Sequence, residues 1–214
     1  MDQIILTEFN KIKYAEFHPS QMQRYMDTLY IYASKPEVEH ITEMGVAVVC
    51  STWAFLAAQP KRLVSVDIDP NCPIEPIREA AERIGVDFEF VVGDTNHGVT
   101  KELNPENPYS VEGVHNKEGA AVPYYTCEPT DLLFLDTYHH YASLKKEFEL
   151  HAPKAKHYMI LHDTISFGTR GEGNDTIGLQ AAVNEFLAAN TQWTKDWEDT
   201  QWPGLIVLKR VAAD

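Results

Sequence analysis

Short apolar runs alternate along the chain with segments whose apolar residues recur at helical spacing, the sequence sign of a parallel α/β sheet. His18-Pro19-Ser20 opens a helix expected to run to about Ser34, with Met22, Met26, Leu29 and Tyr30 on one face. A strand is expected over about 40–45, a helix over 51–58, and a second strand from Arg62 to Asp69, ended by Asp-Pro-Asn. A helix over 74–84 stops at Gly85, a suitable C-cap, and a third strand follows from Asp87 into Asp94. Residues 96–128, rich in Pro, Gly and Asn, break the rhythm; so long a connection predicts an inserted lid. The run Asp131-LLFLD-Thr137 then reads as a strand buried on both faces. A helix over 141–150 and a strand from His157 to Thr164 follow. Asp175 is expected to cap a helix reaching about Ala189, and a Trp-rich segment leads to a last strand, Gly204-LIVLKR. The expectation is one domain over 1–214, with about seven strands, helices on both faces, and a helical segment over 1–36.

Composition narrows the partners. The 214 residues carry 44% hydrophobic and 23% charged side chains, so a full core is within reach. Eighteen Lys and Arg against 32 Asp and Glu leave a formal charge of −14, which repels phosphate backbones and anionic lipid. Nucleic acid and membrane are therefore poor partners. The lysine cluster Lys145, Lys146, Lys154 and Lys156 is interrupted by Glu147 and Glu149 and reads as a solvated helix face. Cys50, Cys72 and Cys127 form no CxxC pair and are odd in number, against a disulfide scaffold or zinc ribbon. The charged N-terminus lacks the apolar centre of a signal peptide, and no apolar run approaches membrane-spanning length. A cytoplasmic location is expected.

In an open α/β sheet, ligands bind beyond the carboxyl ends of the strands. Those ends carry Glu43 and Gly45, Asp67 and Asp69, Asp94, Asp136, and His162 with Asp163. Carboxylates gathered at one sheet edge repel unless cations or hydroxyls compensate them. Asp67 lies just over 20 residues after Gly45, the spacing at which a carboxylate receives a ribose diol. The GxGxxG dinucleotide fingerprint is absent, because Val46-Ala47-Val48-Val49 follows Gly45. A ribose-bearing cofactor without a diphosphate fits better than a nicotinamide.

Glu43-Met-Gly45-Val-Ala-Val-Val49-Cys-Ser51 resembles motif I of class I S-adenosylmethionine-dependent methyltransferases. Leu133-Phe-Leu-Asp136-Thr-Tyr-His139 and Ile160-Leu-His162-Asp163-Thr164 resemble two segments of the cephalosporin-hydroxylase-like and macrolide-sugar O-methyltransferase branch. Gly178, Ala182-Val183, Glu185-Phe186-Leu187, Trp193 and Gly204-Leu205 resemble its closing helix and strand. The likeness spans about residues 38–210 and implies a Rossmann-like seven-stranded methyltransferase sheet. It implies methyl transfer from S-adenosylmethionine to a hydroxyl of a small molecule, assisted by a divalent metal such as Mg²⁺ or Mn²⁺. It assigns cofactor contacts to Glu43, Gly45, Ser51, Asp67 and Asp94, metal ligation to Asp136, His162 and Asp163, and the general base to His139. A homo-oligomer is compatible with it.

The assigned chemistry is coherent. A cation on carboxylate oxygens lowers the pKa of a hydroxyl, and a histidine near neutrality takes its proton. Two positions depart from the pattern. Val49 replaces the second glycine of motif I, which the fold absorbs if φ stays below zero there. His162 replaces a common Glu and favours Mn²⁺, Fe²⁺ or Zn²⁺ over Mg²⁺. Structural readings stand beside these: Asp136 bonding loop amides, Asp163-Thr164 capping a turn, His139-His140 flanking a helix. His97, His115, His151 and His157 show no ligand spacing. Trp193, Trp197 and Trp202 are read as sheet cover, and Tyr124 and Tyr125 as lid residues. The rival functions are a binding module on the same fold and a metal-dependent enzyme of another class.

Overall fold

The computed structural model describes residues 2–16, 21–99, 122–172 and 177–211. Seven strands form one mixed sheet: β1 His40–Met44, β2 Arg62–Asp67, β3 Asp87–Val92, β4 Thr130–Leu135, β5 Ala155–His162, β6 Trp193–Asp199 and β7 Leu205–Arg210. Their spatial order is β3-β2-β1-β4-β5-β7-β6. Strands β3 to β5 run parallel, and β7 pairs antiparallel with both β5 and β6. The order reverses between β1 and β4, which opens a crevice beyond their carboxyl ends.

The helices are α1 Gln3–Lys13, α2 Met26–Ala33, α3 Cys50–Ala57, α4 Glu75–Ile84, α5 Tyr141–His151 and α6 Leu179–Ala189. Alternation along each central strand sends successive side chains to opposite faces. Leu132 and Phe134 of β4 and Ile160 of β5 join the core beneath α1 to α4. Leu133, Leu135, Met159 and Leu161 join the core beneath α5 and α6. Every residue of β4 is buried, as the continuous apolar run requires. Among the described residues no helix is long and apolar enough to cross a membrane.

Several element boundaries depart from expectation. The expected helix start at His18 lies outside the described residues; a 3₁₀ turn over Met22–Tyr25 leads into α2 instead. Helix α1 precedes it, capped by Asp2, whose carboxylate accepts from the amides of Ile4 and Ile5. Gly85 terminates α4 in the left-handed region as expected, with φ +76°. Asp175 also lies outside the described residues, and Gly178 occupies the cap position of α6. Of the expected lid, 100–121 lies outside them too. The Trp-rich segment is itself a strand, the edge strand β6, whose middle residues are exposed. Trp193 is buried, whereas Trp197 and Trp202 are exposed.

Candidate active site

The loop after β1 is held from both sides. The Gly45 amide donates to Val66 O (2.9 Å) and the Asp136 amide to Met44 O (2.9 Å), which pins the end of β1 between β2 and β4. Gly45 has φ +87°, and a Cβ there would lie 1.9 Å from the Asp136 carbonyl oxygen, so only glycine fits. Asp67, the last residue of β2, reaches back to the same loop. Its Oδ2 accepts from the amides of Val46 (2.7 Å) and Ala47 (2.9 Å), and its Oδ1 accepts from the Asp69 amide (2.8 Å). Asp67 therefore clamps the loop as well as facing the crevice.

Ala47 and Val49 both adopt left-handed backbone, with φ +45° and +59°. The expectation of negative φ at Val49 is thus incorrect, and the reason is packing. Val49 is buried in the core shared by α1 and α3, lining a groove with Ile4, Ile12 and Trp53, away from the crevice. Burial of that side chain offsets the roughly 1–2 kcal/mol that left-handed backbone costs an L-residue. Glu43 also points away from solvent. It is fully buried and accepts hydrogen bonds from Ser51 Oγ (2.5 Å) and Ser65 Oγ (2.6 Å). Burial raises its carboxyl to about 7 against the pull of these hydroxyls. Glu43 and Ser51 thus brace the loop from beneath, and neither lines the crevice.

The crevice is a cavity of about 760 Å³. Gly45, Ala47, Asp67, Asp69, Asp94, Asp136 and His139 line it together with Thr95, Asn96, Phe167 and Glu172. Asp94 caps the turn after β3: its Oδ1 accepts from the Asn96 amide (3.1 Å) and its Oδ2 from Gly98 (2.7 Å). Burial raises the Asp94 carboxyl despite these bonds. Helix α5 secures this turn from behind. Buried Glu147 accepts from Thr95 Oγ1 (2.6 Å) and Thr137 Oγ1 (2.8 Å), and Asn96 Nδ2 donates to Ser143 Oγ (2.7 Å). Burial also raises Glu147 to about 7. His151, pushed down to about 4 by burial, is neutral and donates from Nε2 to Thr95 O (2.7 Å).

At the other end of the crevice β4 and β5 bring their terminal groups together. His139 Nε2 lies 3.2 Å from Asp136 Oδ1 and 3.2 Å from Asp163 Oδ2. Its Nδ1 lies 3.3 Å from Glu172 Oε2, and its ring stacks on Phe167 at 4.6 Å and 8°. Asp163 has φ +55°, which turns the chain sharply after β5. Burial alone would lower the His139 pKa, but hydrogen bonds to Asp136 and Glu172 and the charges of Asp136 and Asp163 outweigh it, giving about 10. Asp136 is held well below the usual carboxylate range, the charge of His162 and the bond from His139 overriding its own burial. His162 is 3% exposed and sits edge-on to Tyr25 at 5.5 Å. Its Nδ1 lies 3.2 Å from Asp136 Oδ2, yet neither ring nitrogen meets hydrogen-bond geometry among the described residues.

Asp136, His139 and Asp163 offer ligand atoms all within 4.8 Å of one another. Two carboxylates and an imidazole form a donor set that fits a divalent cation. Glu172 and Phe167 went unread in the sequence. Both lie in the loop after β5, where the glycines at 168, 171, 173 and 178 are the sequence's hint of a special backbone.

No protein-family model and no curated protein sequence matches the chain. Solved structures do. The O-methyltransferase of Bacillus cereus in complex with SAH matches with a TM-score of 0.58 at 14% identity, over 98% of this chain and 92% of the other. TomG of Streptomyces achromogenes, an O-methyltransferase involved in tomaymycin synthesis and bound to SAM, matches with a TM-score of 0.58 at 15% identity, over 99% and 91%. A methyltransferase of Geobacter sulfurreducens gives 0.54 at 14% identity, over 99% and 92%. The chain has the fold of the class I methyltransferases.

Proposed function

We propose that the protein transfers a methyl group from S-adenosylmethionine to a hydroxyl of a small molecule, with a divalent cation at the ends of β4 and β5. The observation that carries this reading is a single crevice bounded at one end by the Asp67-clamped loop and at the other by Asp136, His139 and Asp163. When bound, S-adenosylmethionine supplies the electrophilic methyl group, and the cation lowers the pKa of a coordinated hydroxyl.

The chain's own residues do the rest. Gly45 leaves room for close approach at the β1 end. Asp67 keeps one lone pair of Oδ1 for a ribose hydroxyl, and Asp69 lines the same crevice. Asp94 edges the adenine end. Asp136 and Asp163 are the carboxylate ligands. His139, expected to be the general base, is better placed as the third ligand. Its Nε2 lies 3.2 Å from Asp136 Oδ1 and 3.2 Å from Asp163 Oδ2, where a third donor between two carboxylates would stand. His162, expected to be a ligand, supports Asp136 from beneath. The imidazole suits Mn²⁺, Fe²⁺ or Zn²⁺ over Mg²⁺. The acidity of the crevice suits a cationic cofactor and a small hydroxylated acceptor.

The test combines Asp136→Asn with Asp163→Asn. Calorimetric titration of S-adenosylhomocysteine should give an affinity within about threefold of wild type, while Mn²⁺ binding and methyl transfer to polyhydroxylated acceptors are lost. Full activity of the double variant in chelator would overturn the metal. A binding module that has lost turnover would take Val49 in place of the motif glycine as its symptom, and Val49 packs away from the crevice.

A further inference from the structure

Glu172 touches His139 twice. Its amide donates to His139 O (2.8 Å), and its Oε2 lies 3.3 Å from Nδ1. The loop after β5 is thereby fastened to the loop after β4 at one residue. Phe167 of the same loop stacks flat on the ring, which removes rotation about its long axis. The opposite nitrogen, Nε2, then faces the gap between Asp136 and Asp163 at equal distances of 3.2 Å.

We propose that Glu172 is the positioning residue of the site: it holds the proton on Nδ1 and presents the Nε2 lone pair to a cation between Asp136 and Asp163. The inference rests on the metal reading above. A ligating histidine needs its other nitrogen hydrogen-bonded so that tautomer and ring angle are fixed, and loss of such a partner costs 10–100-fold in metal affinity. His139 has that partner in Glu172. His162 has none in hydrogen-bond geometry among the described residues, which distinguishes the two histidines as ligands. The contribution of Glu172 is orientation through an acceptor oxygen, and a glutamine oxygen can accept the same Nδ1 proton.

The experiment measures Mn²⁺ binding by electron paramagnetic resonance of free Mn²⁺, together with the imidazole nitrogen coupling of bound Mn²⁺ in spin-echo spectra. Wild type, Glu172→Ala, Glu172→Gln, His139→Ala and His162→Ala are compared, each checked for a native circular dichroism spectrum. Glu172→Ala should weaken Mn²⁺ by 10–100-fold and Glu172→Gln by no more than about threefold. The nitrogen coupling should vanish in His139→Ala and persist in His162→Ala. Wild-type affinity and coupling in Glu172→Ala would overturn the proposal while leaving the metal in place. So would equal losses in the alanine and glutamine variants, because the role would then be charge and not orientation. Coupling that depends on His162 alone would overturn it as well. Failure of the wild type to bind Mn²⁺ would overturn both the proposal and the metal reading, and S-adenosylhomocysteine titration would still decide the cofactor separately.

Discussion

Replacing Asp67 by Asn separates a residue that only binds cofactor from one that also builds the site. The carboxylate accepts three amide hydrogen bonds at 2.7, 2.9 and 2.8 Å from Val46, Ala47 and Asp69. An amide keeps one accepting oxygen. Turned toward Val46 and Ala47, it retains two bonds as neutral ones, each weaker by about 1 kcal/mol, and sets its NH₂ against the Asp69 amide. That third bond, worth about 1.5–3 kcal/mol to a charged acceptor, is lost. Asp69 is partly exposed, so water takes up much of this total of about 3.5–5 kcal/mol, and about 2 kcal/mol of ligand-free stability should go. For a domain of this size that is a fall of about 4–8 °C in Tm. Urea unfolding of the ligand-free variant measures it, and titration with S-adenosylhomocysteine should show a further loss of about tenfold or more in affinity. Ligand-free stability within about 0.5 kcal/mol of wild type, the range of substitutions that break no structural feature, would refute the clamp and leave Asp67 a cofactor contact alone.

Two further perturbations test buried groups. Glu43 titrates at about 7 when folded against 4.5 in the unfolded chain, so its contribution to stability is full below about pH 4.5 and is lost as pH rises through 7. Glu43→Gln, which keeps an acceptor for one serine, should therefore gain on wild type by about 3 kcal/mol between pH 4.5 and pH 8 in denaturant titrations; a pH-independent difference would contradict a burial-raised carboxyl. Val49→Gly exchanges about 2–4 kcal/mol of lost burial and added chain freedom for relief of about 1–2 kcal/mol of left-handed backbone. Stability should fall by about 1.5 kcal/mol and cofactor affinity should hold; a change in affinity beyond fivefold, about 1 kcal/mol, would place Val49 at the crevice.

The parts of this fold that the sequence announces are those where burial is total. Strands β4 and β5 carry continuous apolar runs because both faces are covered, and the acids that follow them stand out against that background, whereas β1 and β2 also bury Thr42, Glu43 and Ser65. Edge strand β6, Trp-Thr-Lys-Asp-Trp-Glu-Asp, does not read as a strand because an exposed edge is kept charged against pairing with other chains. Asp136, His139 and Asp163 were legible as separate strand ends. Their convergence depends on β4 and β5 being neighbours, a pairing no local pattern encodes. Glu172 was illegible, since a glutamate in a glycine-bearing loop looks like solvent-exposed chain until the loop folds back on His139. Val49 misled for a related reason. A missing glycine reads as crowding of the ligand side, whereas its left-handed backbone turns the side chain into the core.

Thermal unfolding with and without S-adenosylhomocysteine tests the cofactor assignment most directly. Ligand at about 100 times its dissociation constant stabilises by roughly 2.7 kcal/mol, a rise of about 5–10 °C here. That rise, reduced in Asp67→Asn and increased further by Mn²⁺ in the wild type, is the expected result. An unchanged midpoint at millimolar ligand would contradict S-adenosylmethionine as the occupant of the crevice.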